Sequence, residues 1–191
     1  MIIAMLALAA GGPASASEVL FRKDSIFVFG GIHSTGNLGQ SLDPFDRHDD
    51  SYLLGAAFAQ DLFPLGTYLV LGGEIGAAAR FGNRGSAEFW GGPGVRLRPI
   101  PIGDAIAIAP AVVVGLSAVT RPNDIERQRE IARNGNATLL FYLAPEIALS
   151  IKQWPNIEIV YRVHHRSGLL GTLGRLEEGS NAHVLGVRWR M

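Results

Sequence analysis

The sequence predicts an all-β protein, an eight-stranded antiparallel up-and-down β-barrel that spans a membrane. The first observation is that apolar and polar residues alternate over eight long segments of the 191-residue chain. Strict alternation over such segments is a strand signal, and no helical period competes with it. The second is that 24 glycines and 10 prolines punctuate the segments, as expected for strands joined by turns. Eight sequential strands avoid free edges by closing into a barrel.

The predicted strands follow one another from residue 25 to the C-terminus. They are residues 25–33, 52–61, 67–81, 86–98, 105–119, 137–151, 156–165 and 180–191. A strongly charged stretch, residues 124–133, interrupts the pattern and is compatible with a helix. We expect this stretch to be a solvated loop or one or two helical turns, because runs of charge usually face water.

The two faces of the predicted strands differ in a way that identifies the kind of barrel. One face carries large aliphatic residues on most strands, and the other carries small residues and charges. The charged residues of the second face are Glu74, Glu88, Glu146, Glu158, Arg80, Arg96, Arg162, Arg188 and Arg190. An eight-stranded barrel has room inside only for side chains, and buried charges need partners. A soluble barrel would not expose the aliphatic face to water, so the sequence predicts a transmembrane barrel with an apolar exterior.

The connections between the predicted strands agree with this orientation. Three alternate connections are short and contain proline, at residues 62–66, 99–103 and 153–156. Most of the others are longer and polar, although the connection at residues 82–85 is short. Outer-membrane barrels have short periplasmic turns and longer external loops, so the sequence predicts a bacterial outer-membrane location with both termini on the periplasmic side.

The N-terminus and the overall charge limit the compartment and the partners. Residues 1–16 hold an apolar run, too short to span a bilayer, and end in Ala14-Ser-Ala16, which is typical of a cleaved signal peptide. The alternative is a buried N-terminal helix. Residues 17–191 would then form the barrel domain. The 17 basic and 17 acidic residues leave no surplus to neutralise phosphates, so no nucleic-acid partner is expected.

The strongest candidates for chemistry are His165 and Ser167, at the end of the seventh predicted strand. Their i, i+2 spacing places both side chains on the lipid-facing side, about 7 Å apart at Cα. A serine hydroxyl becomes a useful nucleophile beside a base such as histidine, which in turn needs an orienting acceptor. Glu177, Glu178 and Asn181 are close enough along the chain to be that acceptor. The bland alternative is that His165 belongs to a polar belt at the interface and Ser167 begins a turn.

His165-Arg166-Ser167 resembles the His-x-Ser motif of the lipid A 3-O-deacylases and their acyloxyacyl-hydrolase-like relatives. Those proteins are eight-stranded outer-membrane barrels with the motif late in the chain. The resemblance implies an esterase that acts on lipid A in the lipopolysaccharide of the membrane. It also implies that Ser167 is the nucleophile, His165 the general base and Glu178 the acid, with Glu177 and Asn181 as alternatives.

The chain departs from this family at the residue after the motif. The family commonly continues His-x-Ser-Asn-Ala and uses the Asn in its oxyanion hole, whereas Gly168 follows Ser167 here and offers only its backbone N–H. No spacing of metal ligands is evident, so neither a metal nor another cofactor is expected. A homodimer is compatible with the sequence. The alternative function is a non-catalytic barrel that serves as an envelope scaffold or adhesion protein.

Overall fold

The computed structural model describes residues 23–43, 45 and 47–191, so the predicted signal peptide lies outside the described residues. Eight long strands and one short strand form a single antiparallel sheet in this part of the chain. They are β1 (Lys23–Ser34), β2 (His48–Leu65), β3 (Leu69–Phe81), β4 (Ser86–Leu97), β5 (Ile100–Ile102), β6 (Ile106–Val119), β7 (Leu139–Ile151), β8 (Trp154–Ser167) and β9 (Ser180–Arg190). β1 pairs with β9, and β4 pairs with β6, so the sheet closes on itself. The predicted eight-stranded barrel is confirmed.

The strand boundaries differ from the predicted ones at β2 and at the short strand β5. β2 is longer than predicted at both ends and pairs with β3 down to Leu65↔Leu69. The short β5 was not predicted; it folds back on β6 with Ile100 opposite Ile108. The three longest connections, residues 35–47, 120–138 and 168–179, all lie at one end of the barrel. That end is the external one by the rule for outer-membrane barrels.

The outer wall of the barrel is apolar, as the alternation predicts. Large hydrophobic side chains remain exposed on the outward positions of the long strands. They include Ile26, Val28, Leu54, Phe58, Ile75, Phe89, Val114, Leu116, Ile147, Ile157, Ile159, Leu185, Val187 and Trp189. Such a continuous exposed apolar band is unfavourable in water and suits the hydrocarbon of a bilayer.

The lumen is filled by aromatic side chains and by paired charges. Arg162 lies at its centre, where its guanidinium donates to Glu74 Oε2 and Glu146 Oε2, both at 2.6 Å. Arg188 also donates to Glu146, at 2.8 Å, and Phe27 packs under both guanidinium groups. Burying these charges is tolerated because Glu74 and Glu146 each have basic partners. The predicted charged face is therefore the inward face.

A helix closes the external end of this lumen. α1 (Asp124–Arg133) begins at Asn123, which forms a reciprocal capping box with Glu126. The Glu126 carboxylate, fully buried, accepts hydrogen bonds from Arg166, Arg80 and Ser180. The expectation that residues 124–133 are solvated is wrong for this side of the helix, because it neutralises arginines that face the lumen. Among the described residues, no helix is long and apolar enough to cross a membrane.

The burial of Glu126 has an electrostatic consequence at the barrel mouth. Burial by itself would raise the pKa of the Glu126 carboxyl. The guanidinium groups of Arg166 and Arg80, with the Ser180 hydroxyl, reverse this effect and hold the pKa below its usual 4.5. Glu126 is therefore a carboxylate at neutral pH, and α1 is attached to the barrel by charge-assisted hydrogen bonds.

Candidate active site

Strand β8 separates two sets of polar side chains by its alternation. Arg162, His164 and Arg166 point into the lumen and are buried there. His165 and Ser167 occupy the alternate positions and therefore lie on the outer wall, near the external end of the strand. The alternation of the strand agrees with the predicted outward side, but His165 is buried, so the expectation that its side chain faces the lipid is wrong.

The orienting partner of His165 is Asn181 on the neighbouring strand. The β8–β9 register places His165 directly opposite Asn181, so the two side chains share the outward face. His165 Nδ1 donates to Asn181 Oδ1 at 2.5 Å, and Asn181 Nδ2 donates to the Gly36 carbonyl at 2.8 Å. The second bond fixes which end of the amide faces His165. The proton is therefore on Nδ1, and Nε2 has a lone pair available to accept a proton.

The loop after β1 is built to hold the Gly36 carbonyl in place. Ser34 Oγ accepts a hydrogen bond from Gly36 N at 3.0 Å and another from Ser41 Oγ at 3.0 Å. Asn37 and Gln40 exchange side-chain-to-backbone hydrogen bonds, each at 3.0 Å. Ser34 and Ser41 are buried, although Ser34 is on the outward face, so the loop folds against the outer wall. Sequence reasoning missed this support, because it depends on a contact between the first and last strands.

Ser167 is less buried than the histidine that would activate it. His165 is 4% exposed and Asn181 is 1% exposed, whereas Ser167 is of intermediate exposure. Within the described residues, no hydrogen bond joins Ser167 to His165. Hydrogen bonds between nucleophile and base are often long or poorly aligned in enzymes without substrate.

The two glutamates predicted as alternatives lie in different surroundings. Glu177 forms an exposed ion pair with Arg133, with Oε1 at 2.8 Å from Nη1. Glu178 is close enough to His165 for its charge to act on the ring, and its Oε2 is buried without a hydrogen bond in the described structure. Of the three predicted acceptors, Asn181 is the one that contacts His165.

Gly168 begins the loop that separates β8 from β9. A side chain at this position would place its Cβ 1.9 Å from the Leu176 carbonyl oxygen and 2.4 Å from that of Leu173, so only glycine fits. On the other side of the loop, Arg129 of α1 donates to the Gly179 carbonyl at 2.6 Å. The loop is therefore held both by its own packing and by the helix. Arg129 was not predicted, since the helix was expected to be solvated.

The polar groups of the outer wall form a base with a fixed tautomer beside a hydroxyl, at the external edge of an apolar surface. This combination suits acyl transfer at the membrane interface. Among the residues described, no group of three or more His, Asp or Glu side chains is placed to hold a metal ion. The fold and the apolar wall define the class of protein as a bacterial outer-membrane β-barrel.

Comparisons with solved structures agree with this class. The outer membrane enzyme PagL aligns with a TM-score of 0.55 and 14% sequence identity, covering 86% of this chain and 98% of the PagL chain. Neisserial surface protein A aligns with a TM-score of 0.54 and 9% identity, covering 88% of this chain and 96% of the other. At these identities the likeness shows the fold alone. No family model matches the chain, and no curated protein sequence matches it either.

Proposed function

We propose that the protein is an outer-membrane esterase that removes an ester-linked acyl chain from lipid A. Ser167 is the nucleophile, His165 the general base and Asn181 the residue that orients the base. The observation that carries the proposal is the hydrogen bond from His165 Nδ1 to an Asn181 amide that Gly36 fixes in one orientation.

The chemistry follows from this arrangement in two half-reactions. His165 Nε2 accepts the Ser167 proton as the oxygen attacks the ester carbonyl, and the Gly168 N–H would stabilise the oxyanion. The tetrahedral intermediate then expels the sugar alkoxide, which takes the proton from His165. Water, activated by the same nitrogen, hydrolyses the acyl-serine and releases the fatty acid.

Asn181 replaces the carboxylate that a serine hydrolase commonly places behind its histidine. An amide oxygen holds the ring in this tautomer only when the amide orientation is fixed, as the Gly36 carbonyl fixes it here, and it stabilises the imidazolium less than a carboxylate does. Glu178, whose charge acts on His165, supplies part of the negative charge that a carboxylate at the position of Asn181 would provide.

The position of the site on the outer wall fits a substrate that arrives from the bilayer. Ser167 and His165 share the face that carries Ile157 and Ile159, which are exposed to the hydrocarbon. Lipid A lies in the outer leaflet, with its ester bonds near the boundary between sugar and acyl chains. The site lies at the external edge of the apolar wall, which matches this depth.

Mass spectrometry of lipid A from cells that express the protein tests the proposal. Expression of the unchanged chain should remove one acyl chain, and Ser167→Ala should abolish that change, with a rate loss on the order of 10⁴-fold or more. The matched control is Ser86→Ala, at the external end of β4, since the Ser86 hydroxyl also makes no hydrogen bond in the described structure. Unchanged lipid A with folded protein, or full activity in Ser167→Ala, would refute the proposal and favour a non-catalytic barrel.

A further inference from the structure

The loop between β8 and β9 displays two leucines directly beside the candidate nucleophile. Leu169 and Leu170 follow Gly168, and they are 55% and 88% exposed. Both have left-handed backbone conformations, with φ of 48° and 56°. Residues with a Cβ adopt this region at a cost, and two consecutive leucines there are unusual. Neither burial nor backbone preference explains the pair.

Hydrogen bonds hold these leucines in the exposed position. The Leu169 carbonyl accepts from Thr172 Oγ1 at 2.8 Å and from Thr172 N at 3.2 Å. Gly171 N donates to the Leu176 carbonyl at 2.9 Å. Leu176, in contrast to the two leucines, is fully buried against Leu140 at the top of the lumen. The loop therefore buries one leucine inward and presents two others outward.

The exposed leucines continue the apolar outer wall beyond Ser167. Ser167 is on the outward face of β8 and lies opposite Phe141 of β7, and Leu139, two residues further along the outward face of β7, is 44% exposed. The external turn between β3 and β4 offers a contrast, since its side chains are those of Asn83 and Arg84. Large exposed apolar groups next to a lipid-facing surface are favourable only if the lipid covers them.

We propose that Leu169 and Leu170 insert into the hydrocarbon of the outer leaflet and hold the acyl chain of a membrane lipid against the wall beside Ser167. The occupant is an acyl chain and not another protein, because the two leucines are continuous with the surface that lipid already covers. The substrate part of this inference rests on the proposed function and restricts it to long-chain esters that are embedded in a membrane. The insertion itself does not depend on catalysis.

Insertion can be measured without any activity, because the chain contains no cysteine. In Leu170→Cys the new thiol is unique and takes a nitroxide label after reconstitution into phospholipid vesicles. Power-saturation electron paramagnetic resonance should show greater collision with oxygen than with a water-soluble nickel chelate. The control is Gln128→Cys on the exposed side of α1, where the nickel chelate should dominate. Equal nickel accessibility at positions 170 and 128 would overturn the insertion.

Hydrolysis tests the second half of the inference. The double variant Leu169→Asn/Leu170→Asn removes the apolar groups but keeps residues that tolerate the left-handed conformation. Its rate on a long-chain ester in vesicles should fall about tenfold or more, since two leucines lose their contact with hydrocarbon. Its rate on a short, water-soluble ester should fall much less than its rate on the long-chain ester, because a short chain makes less contact with the leucines. If the double variant hydrolyses the long-chain ester as fast as the original protein, the acyl-chain contact is refuted. If the original protein hydrolyses neither ester, the esterase is refuted, and the resonance experiment alone decides whether the leucines insert.

Discussion

The inward and outward faces of β8 carry similar polar residue types but are organised in opposite ways. On the inward face, Arg162 donates to two carboxylates and His164 lies between Tyr142 and Glu88. On the outward face, His165 has one partner, Asn181, and leaves its second nitrogen free for chemistry. Most of the inward polar groups are hydrogen-bonded to one another, although Arg80 Nε, Glu88 Oε2 and Arg188 Nε have no hydrogen bond within the described residues. The outward pair is satisfied only in part, which is what a catalytic base requires.

This contrast arises because the inward face lines the closed lumen, whereas the outward face forms the apolar outer wall. The charged side chains of the lumen are buried, so their charges must be neutralised within the protein. The outer wall is apolar over most of its height, and a polar side chain there would have no partner in a bilayer. A histidine with a fixed tautomer on that wall therefore indicates function more strongly than the larger ionic network inside.

Removing the central cation of the lumen should have the largest effect on stability. Arg162→Met leaves Glu74 and Glu146 without their shared partner, and breaking a buried pair in this way costs about 3–5 kcal/mol. Urea titration of the refolded barrel in detergent measures the loss. The folded fraction should keep its rate on an ester substrate, because Arg162 lies on the opposite face of β8 from Ser167.

The matched control is Arg84→Met, which breaks the exposed pair of Arg84 with Asp124, 3.1 Å apart. An ion pair at the surface contributes less than about 1 kcal/mol, so this variant should unfold almost as the unchanged protein does. If Arg162→Met is no less stable than Arg84→Met, the lumen charges do not stabilise the barrel as described.

Removing the outward partner should affect the rate much more than the stability. Asn181→Ala lets the His165 ring rotate and lose its tautomer, so kcat should fall on the order of 100-fold while KM stays the same. Steady-state hydrolysis of an ester in detergent micelles separates the two constants. The proposed role of Asn181 is contradicted if kcat is unchanged or if only KM rises.

Asn123→Ala is the control for Asn181→Ala, because Asn123 is also buried but does not contact His165. Asn123 caps α1 through its bond from Glu126 N, so its loss should cost about 1 kcal/mol of stability. Its kcat should remain that of the unchanged protein. Equal loss of rate in the two asparagine variants would mean that activity only reports stability.

The sequence predicts the barrel well because its two faces meet different surroundings along every strand. Alternation alone separates Glu74, Arg162 and Arg188 from the apolar wall, and the same alternation places His165 and Ser167 outward. The choice among Glu177, Glu178 and Asn181 could not be made by counting, because it depends on the β8–β9 register across residues 168–179. That register is set by hydrogen bonds between strands and by the packing of Leu176, neither of which is local.

Helix α1 also shows which features can be predicted from the sequence and which cannot. The Asn123-x-x-Glu126 spacing is a capping box that is visible in the sequence and predicts the start of α1. The burial of the Glu126 carboxylate depends instead on its hydrogen bonds with Arg80 and Arg166, which come from distant strands. Charged residues in a predicted helix indicate exposure to solvent, but the Glu126 carboxylate instead neutralises arginines of the lumen.

A smaller effect than that of Arg162→Met is expected where α1 meets the barrel, since α1 contacts both the lumen and, through Arg129, the loop beside Ser167. Glu126→Gln should cost about 2 kcal/mol at neutral pH, because hydrogen bonds to a charged group are replaced by weaker ones. The pKa of Glu126 is lower in the folded barrel than its usual 4.5, so its contribution is complete above pH 4.5 and is lost as the pH falls through the folded value. The difference between the unchanged protein and Glu126→Gln should therefore shrink in acid, as measured by urea titration at several pH values. Glu177→Gln, at an exposed pair, should show no such convergence, and a pH-independent difference for Glu126→Gln would contradict the charge-based attachment of the helix.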